Sequence, residues 1–189
     1  MIINKTKFLE FKKAKSPQNH DWFYVKRTND KIHFDSAVCI TTLIKSDDNK
    51  YSILLLKTKR PPIYAENKAK FCIESPAGLI ADENIDEELQ DCIKKELKEE
   101  TGYVADKIFI ELKNASSSSG LTSETLTFVT AIVKDKQIAT PVSDGGIIVD
   151  RLIIPVDKID EYISNLDKEM YSVATACICG IYYALKRIK

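Results

Sequence analysis

The amino-acid sequence predicts an α+β domain, and three observations support this. Apolar and β-branched segments separated by turn signals fill most of the first 80 residues, which is typical of strands. One clearly amphipathic helix follows them, and further strand-like segments come after that helix. Two helical segments then close the chain. Strands, a helix, more strands and final helices in this order indicate an α+β arrangement.

The strands are predicted from apolar runs bounded by turn residues. A Ser-Pro-Gln-Asn loop at 16–19 separates the first two of these runs, and Ser-Asp-Asp-Asn at 46–49 separates two buried ones. The segment Arg60-Pro61-Pro62 ends a strand, because proline cannot donate a ladder hydrogen bond. The predicted strands lie at 6–14, 22–28, 34–45, 51–58, 71–74, 107–113, 124–134 and 147–154.

The clearest helix is predicted at about 86–101. Leu89, Ile93 and Leu97 recur every four residues and form one apolar stripe. Gly102 stands where a C-terminal cap glycine is expected. Further helices are predicted at 156–166 and 170–187.

Length and charge exclude several classes of protein. The 189 residues suit one domain, and 28 basic residues balance 28 acidic ones, which argues against a binder of nucleic-acid polymers. No apolar run approaches the ~20 residues that a membrane span needs, and the N-terminus lacks the apolar core of a secretory signal. The balance hides local polarity: 82–100 holds nine acids and three bases, while 5–31 and 57–70 are basic.

The five cysteines favour a reducing compartment. Their number is odd, and four lie in apolar runs, which is typical of buried reduced thiols. Cys177 and Cys179 are two apart in a predicted helix, so they face different sides and make a poor metal pair. We therefore expect a cytoplasmic protein.

Three carboxylates on the predicted helix are the first candidate for chemistry. Glu96 and Glu100 share a face, and Glu99 is three residues from Glu96. Like charges at this spacing destabilise a helix by a few tenths of a kcal/mol, so either the face is solvated or a cation neutralises it. Mg²⁺ accepts such carboxylates while keeping water for a phosphate. The spacing leaves both readings open, because neighbouring lysines also neutralise the face.

Two segments together resemble the Nudix box. The first is Pro-Ala-Gly-Leu-Ile at 76–80, and the second is Lys-Glu-Leu-Lys-Glu-Glu-Thr-Gly-Tyr at 95–103, in which Lys95 replaces the family's arginine. The separation of Gly78 from Glu96 is three residues longer than in the family pattern. The early glutamate of the box therefore stays open between Glu83 and Glu87.

The resemblance extends to the ADP-ribose and nucleoside-diphosphate-sugar pyrophosphatase branch of the Nudix hydrolase family, over roughly residues 6–187. The segments that carry it are 22–27, 59–62, 73–79, 119–124 and 181–185. It implies a Nudix α/β/α sandwich with a mixed sheet and an N-terminal antiparallel strand extension. It further implies an extension at 1–33, for dimerisation and base binding, and a hydrolase domain at 34–189.

The resemblance also implies a metal site. Glu96 and Glu100, with the carbonyl of Ala77, would hold Mg²⁺ or Mn²⁺. Glu99 would bind a further ion or orient the attacking water. Metal ions on a diphosphate offset its charge and lower the pKa of a bound water, which suits this chemistry.

Five residues match substrate-binding positions of the branch. Trp22 would stack on the base, Phe8 would add a second aromatic across a homodimer, and Glu74 would lie near the substrate. Arg27 and Arg60 would hold the diphosphate or the terminal ribose, since guanidinium groups fit phosphate oxygens in pairs. Each has a structural alternative: core packing for the aromatic rings, a solvated strand end for Arg27, a turn position before two prolines for Arg60, and a strand-end ion pair for Glu74.

The expected function is Mg²⁺-dependent hydrolysis of ADP-ribose to AMP and ribose 5-phosphate. A pyrophosphatase for UDP-glucose or GDP-mannose is an alternative, and so is a catalytically weak module that binds nucleotide sugars. Branch members often carry a glutamate in the loop that corresponds to 143–150, which has none here. Asp144, Asp150, Glu99 or Glu124 is left as the candidate base. The partners expected are a nucleotide sugar and a second copy of the chain, without nucleic acid or membrane.

Overall fold

Two β-sheets and four α-helices form the part of the chain that the structure describes. The computed structural model describes residues 1–28, 36–80, 88–142, 147–166, 168 and 170–189. The strands are β1 Ile2–Lys5, β2 Leu9–Lys15, β3 Asp21–Arg27, β4 Ser36–Lys45, β5 Tyr51–Thr58, β6 Phe71–Glu74, β7 Ala77–Leu79, β8 Ala105–Ser116, β9 Thr125–Lys134, β10 Ile148–Pro155 and β11 Tyr171–Val173. The helices are α1 Pro61–Asn67, α2 Leu89–Thr101, α3 Ile159–Ser164, which follows a 3₁₀ turn at Val156–Lys158, and α4 Thr175–Lys186.

The larger sheet has eight strands and is mixed. Its main order is β11-β6-β5-β4-β9-β8, while β10 pairs with β5 and β7 pairs with β4. The pairs β4–β9 and β11–β6 are parallel, and the other neighbours are antiparallel. Strand β4 is therefore central, with β9 along its whole length on one edge and β7 at its N-terminal end on the other.

Helices cover both faces of this sheet because strand side chains alternate between the faces. On β5, Leu54 and Leu56 join the core under α2, while Ile53 and Leu55 join the core under α3 and α4. All four side chains are almost fully buried. This three-layer arrangement confirms the predicted α/β/α fold with a mixed sheet.

The N-terminal strands form a separate antiparallel sheet of three strands, in the order β1-β2-β3. The β2–β3 hairpin turns at Asn19, whose φ of 64° is one that asparagine tolerates better than most residues. The predicted strand extension is present in this sheet. The predicted boundary at residue 33 lies outside the described residues.

Most predicted elements are confirmed. The predicted strand 6–14 is observed at Leu9–Lys15, and strands β1 and β7 are additional to the prediction. The predicted start of the last helix is wrong. The predicted helix 170–187 begins at Thr175, because residues 171–173 pair with β6 as strand β11. Helix α1 was not predicted; prolines at its first two positions start it, since the N–H groups there need no helical partner. Among the described helices, none is long and apolar enough to cross a membrane.

The cysteines agree with the expectation of reduced thiols. All five are free, and every one except Cys179 is buried. Cys177 packs in the hydrophobic core under α4, whereas Cys179 is exposed, so the two side chains lie on different sides of the helix.

Candidate active site

Helix α2 delivers two of the predicted carboxylates to strand β7. The backbone N–H of Ala77 donates a 2.9 Å hydrogen bond to Oε2 of Glu100. Glu96 fills the space beside Gly78, where a Cβ atom would lie 2.1 Å from its Cδ. Any larger residue at this position would therefore displace the Glu96 carboxylate. Ile93 and Leu97 are fully buried on the adjoining face of the helix and fix its rotation.

The C-terminal end of α2 is anchored by residues distant in sequence. Gly102 has the left-handed φ of 76° and caps the helix through its N–H to the carbonyl of Lys98. The next carbonyls accept from Val142 N–H, at Glu99, and from Nε of Arg151, at Glu100. Because these carbonyls are satisfied, the end of the helix that carries the carboxylates is held in place.

These carboxylates fit a hard divalent cation in their chemistry. Glu96 and Glu100 are half-buried, and oxygen ligands of this kind suit Mg²⁺ or Mn²⁺. The absence of a side chain at Gly78 leaves space for Glu96 beside β7. Glu99 is exposed on the same helix. Among the residues whose positions are described, no three His, Cys, Asp or Glu side chains are grouped closely enough to hold a metal. Both candidates for the early glutamate, Glu83 and Glu87, lie outside these residues.

Arg60 and Glu74 form one ion pair close to the carboxylates. The guanidinium Nε and NH2 lie 2.9 and 2.8 Å from Oε2 of Glu74. Thr58 donates its hydroxyl to the same oxygen at 3.1 Å. The hydrogen bond to Glu74 raises the pKa of Arg60, and the charge of Glu100 adds a smaller contribution in the same direction. Two predicted substrate residues are thus together, in the ion pair that the sequence left as an alternative.

The N-terminal sheet brings Trp22 and Arg27 to the loop after β8. Trp22 is 52% exposed, and its Nε1 donates to the carbonyl of Gly120 at 3.0 Å. Arg27 pairs with Glu124, with 2.9 Å between Nε and Oε2. Backbone bonds join Val25 to the same loop. Trp22 is therefore available for stacking and is not a core residue, which removes its structural alternative.

The remaining sequence candidates are dispersed. Phe8 is 70% exposed in the turn between β1 and β2, with Lys7 over its ring. Asp150 is exposed and accepts from the N–H of Arg151. Glu124 is engaged with Arg27, and Asp144 lies outside the described residues. No candidate base other than Glu99 is on α2.

Comparison with known proteins agrees with the family resemblance found in the sequence. No family model matches the chain. It is 29% identical over 171 residues to a putative Nudix hydrolase 2 of Caenorhabditis elegans, covering 86% of this chain and 73% of the relative. It is also 29% identical over 181 residues to an ADP-ribose pyrophosphatase of Saccharomyces cerevisiae, covering 89% and 74%. The chain is a homologue of the Nudix hydrolases.

The fold of this Nudix homologue agrees with a solved structure. A crystal structure of an ADP compounds hydrolase superposes with a TM-score of 0.67 at 13% identity, covering all of this chain and 90% of the other. An uncharacterized Nudix hydrolase of Schizosaccharomyces pombe is 28% identical over 156 residues, covering 80% and 71%. The predicted family resemblance, and the hydrolase class with it, are confirmed.

Two residues of this Nudix homologue's site were not found from the sequence. Arg151 supports the carbonyl of Glu100, and Gln137 donates to the carbonyl of Thr101 at 2.7 Å. They lie 51 and 36 residues from their partners. A bond to a backbone carbonyl leaves no pattern in the sequence, because every residue supplies that acceptor.

Proposed function

We propose that this chain hydrolyses the diphosphate of a nucleoside diphosphate sugar in the presence of Mg²⁺, with Mn²⁺ as a substitute. The substrate proposed is ADP-ribose, and the products are AMP and ribose 5-phosphate. The relative from yeast is named for activity on ADP-ribose, which supports this choice.

One observation carries the proposal: α2 turns Glu96 and Glu100 toward Gly78 and Ala77 of β7. In a homologue of the Nudix hydrolases, these are the residues that match the box. Glu96, Glu100 and the carbonyl of Ala77 would hold the cation, and Glu99 would hold a further ion or orient water. The bound cation supplies neutralisation of the diphosphate charge and a water of lowered pKa.

The chain's own residues bind the two ends of the substrate. Trp22 offers an exposed indole whose N–H is already satisfied, so its face is left for the base. Arg60 is kept charged and oriented by Glu74, and the charge of Glu100 acts on it as well. It is thus suited to meet a diphosphate that the metal site holds. Arg27 is the second candidate for the diphosphate or terminal ribose.

The proposal includes a homodimer in the cytoplasm, with residues 1–33 as the dimerising extension. Its support is the exposure of large apolar side chains on the N-terminal sheet, which a second copy would cover. They are Ile2, Ile3, Phe8, Leu9, Phe11 and Phe23. Phe8 would then reach the partner's base subsite.

The test is release of inorganic phosphate from ADP-ribose when a phosphatase is added. The phosphatase acts on the product monoesters and not on the intact diphosphate. We expect release with Mg²⁺ and none with EDTA. A panel with UDP-glucose and GDP-mannose identifies the preferred base and sugar. Absence of release with every member of the panel would contradict the enzymatic proposal.

A binding module is the second candidate. Its support is that 143–150 holds no glutamate and that the described residues contain no three-ligand cluster. Calorimetry separates the two candidates, because a module binds ADP-ribose without turnover, whereas the enzyme converts ADP-ribose to AMP and ribose 5-phosphate under the same conditions.

A further inference from the structure

A basic cavity is lined in part by Arg60, and its other lining residues have no role in the proposed reaction. It has a volume of about 340 Å³ and is lined by Lys59, Arg60, Pro61, Tyr64 and Lys70. The segment 57–70 around it holds five basic residues and one acidic residue. Three of the five lining residues therefore carry positive charge.

The fold brings the two lysines together from either side of α1. Strands β5 and β6 are antiparallel, and Thr58 pairs with Cys72, so Lys59 and Lys70 lie just beyond the paired residues. Their backbones are fixed: Lys59 N–H donates to the carbonyl of Ile147, and Lys70 N–H to that of Met170. The closeness of these cations is thus a consequence of strand pairing rather than of chance positions on flexible loops.

Like charges held together are unfavourable unless an anion compensates for them. Arg60 is compensated by Glu74, whereas Lys59 and Lys70 have no ion-pair partner within the described part of the chain. Tyr64 is 66% exposed at the same cavity and offers a flat apolar surface. Together these groups suit a small anion attached to a ring, such as a sugar phosphate.

The cavity is also placed correctly for the end of the substrate. Arg60 lines it while its guanidinium lies in the field of Glu100, a proposed cation ligand. A diphosphate bound at Glu100 and Arg60 would therefore direct one of its two substituents toward Lys59 and Lys70. Trp22 lies on the N-terminal sheet, against the Gly120 loop, and is proposed to take the base. The substituent near the lysines is then the distal sugar.

We propose that Lys59, Lys70 and Tyr64 form a subsite for a phosphate group on the distal sugar, beyond the diphosphate that is cleaved. This inference rests on the proposed function and narrows its substrate class to nucleoside diphosphate sugars with a phosphorylated sugar. Lys59 and Lys70 bind the phosphate, and the ring of Tyr64 contacts the sugar.

The experiment measures binding by calorimetry in EDTA, where turnover is absent. The probes are ADP-ribose, ADP-ribose with a phosphate on the distal ribose, and ADP-ribose with a phosphate on the adenosine ribose. The last probe has the same added charge at the other end. We expect the distal phosphate to improve affinity about fivefold to tenfold, as two exposed charge pairs would. The adenosine-side phosphate should give no such gain.

The variants distinguish binding of the phosphate in the cavity from a general effect of positive charge on affinity. K59Q/K70Q should abolish the gain, while K68Q, which removes a charge from the same segment outside the cavity, should preserve it. The gain should also shrink as salt rises. Equal gains for both phosphorylated probes, no gain, or a gain that survives in K59Q/K70Q would overturn the subsite.

Failure of the subsite differs from failure of the proposed function. If ADP-ribose is hydrolysed with metal but the distal phosphate gives no gain in affinity, the enzymatic proposal stands and the subsite is refuted. If the gain in affinity depends on the lysines but no probe is hydrolysed in Mg²⁺, the subsite stands and the proposed reaction is refuted. Absence of binding by all three probes, together with absence of hydrolysis of ADP-ribose in Mg²⁺, contradicts both.

Discussion

Replacing Gly78 by alanine tests the contact between β7 and α2 with the smallest possible change. The added Cβ would lie 2.1, 2.3 and 2.4 Å from Cδ, Oε1 and Cγ of Glu96. Carbon atoms in contact are about 3.5 to 4.0 Å apart, so the Glu96 carboxylate must move by more than 1 Å. The backbone at Gly78 is not in the left-handed region, and alanine therefore adds no backbone strain there.

The expected loss is large in activity and small in stability. A displacement of about 1 Å in a positioned group costs roughly 100-fold in rate. An off-rotamer side chain costs about 0.5–1.5 kcal/mol, which lowers Tm by only a few degrees for a chain of this size. The Mg²⁺ concentration for half-maximal turnover should rise because a proposed ligand is displaced.

The assay is phosphate release across a Mg²⁺ titration, with Tm from calorimetry. The matched control is G180A, whose Cβ would lie 2.2 Å from Oγ1 of Thr41, between α4 and β4. It creates an equal clash away from β7, so it should lower Tm while the folded fraction keeps its Mg²⁺ dependence. If G78A keeps the turnover and Mg²⁺ dependence of the original chain, the assignment of Glu96 is refuted.

Five further predictions concern Glu100, Trp22 and the buried cysteines. Glu100→Gln should lower turnover by roughly 100-fold or more with an unchanged Tm, because glutamine still accepts from the backbone but binds a cation poorly; unchanged turnover would refute the ligand assignment. Trp22→Ala should raise KM about tenfold or more and kcat little, since stacking is worth ~1–3 kcal/mol per base. Trp22 is the only tryptophan, so its fluorescence should change on ADP-ribose binding, and a constant signal would contradict stacking. Burial raises the pKa of Cys39 and Cys72 from 9.0 to about 12. A thiol reagent at pH 8 should therefore label Cys179 alone before denaturation, and labelling of all five thiols would contradict the buried positions. As pH rises from 9 toward 12, the unfolded thiols ionise first, so the free energy of unfolding should fall, and less steeply in Cys39→Ala.

Local patterns in the sequence were sufficient for α2 and its carboxylates. The spacing of Leu89, Ile93 and Leu97 predicts the buried face, and Gly102 predicts the end, because both depend on residues within one helix. The same rotation places Glu96 and Glu100 together. The fold class followed as well, since strand periodicity is also local.

Features that depend on distant partners were not predictable. Residues 171–173 directly precede the apolar pattern of the last helix, yet they pair with β6 about a hundred residues earlier. Arg151 supports α2 through a backbone carbonyl, which has no sequence signature. Arg60 and Glu74 were each predicted as site residues from the sequence. That they pair with each other follows only from the register of β5 and β6.

The attachment of the N-terminal sheet has a consequence for how such a protein changes over evolution. Val25 is joined to the 117–124 loop by two main-chain hydrogen bonds. Its N–H donates to the carbonyl of Leu121, and its carbonyl accepts from the N–H of Ser123. Main-chain bonds are indifferent to side-chain identity. The loop beside Trp22 can therefore accumulate substitutions, and with them new ligand preferences, while the sheet remains docked.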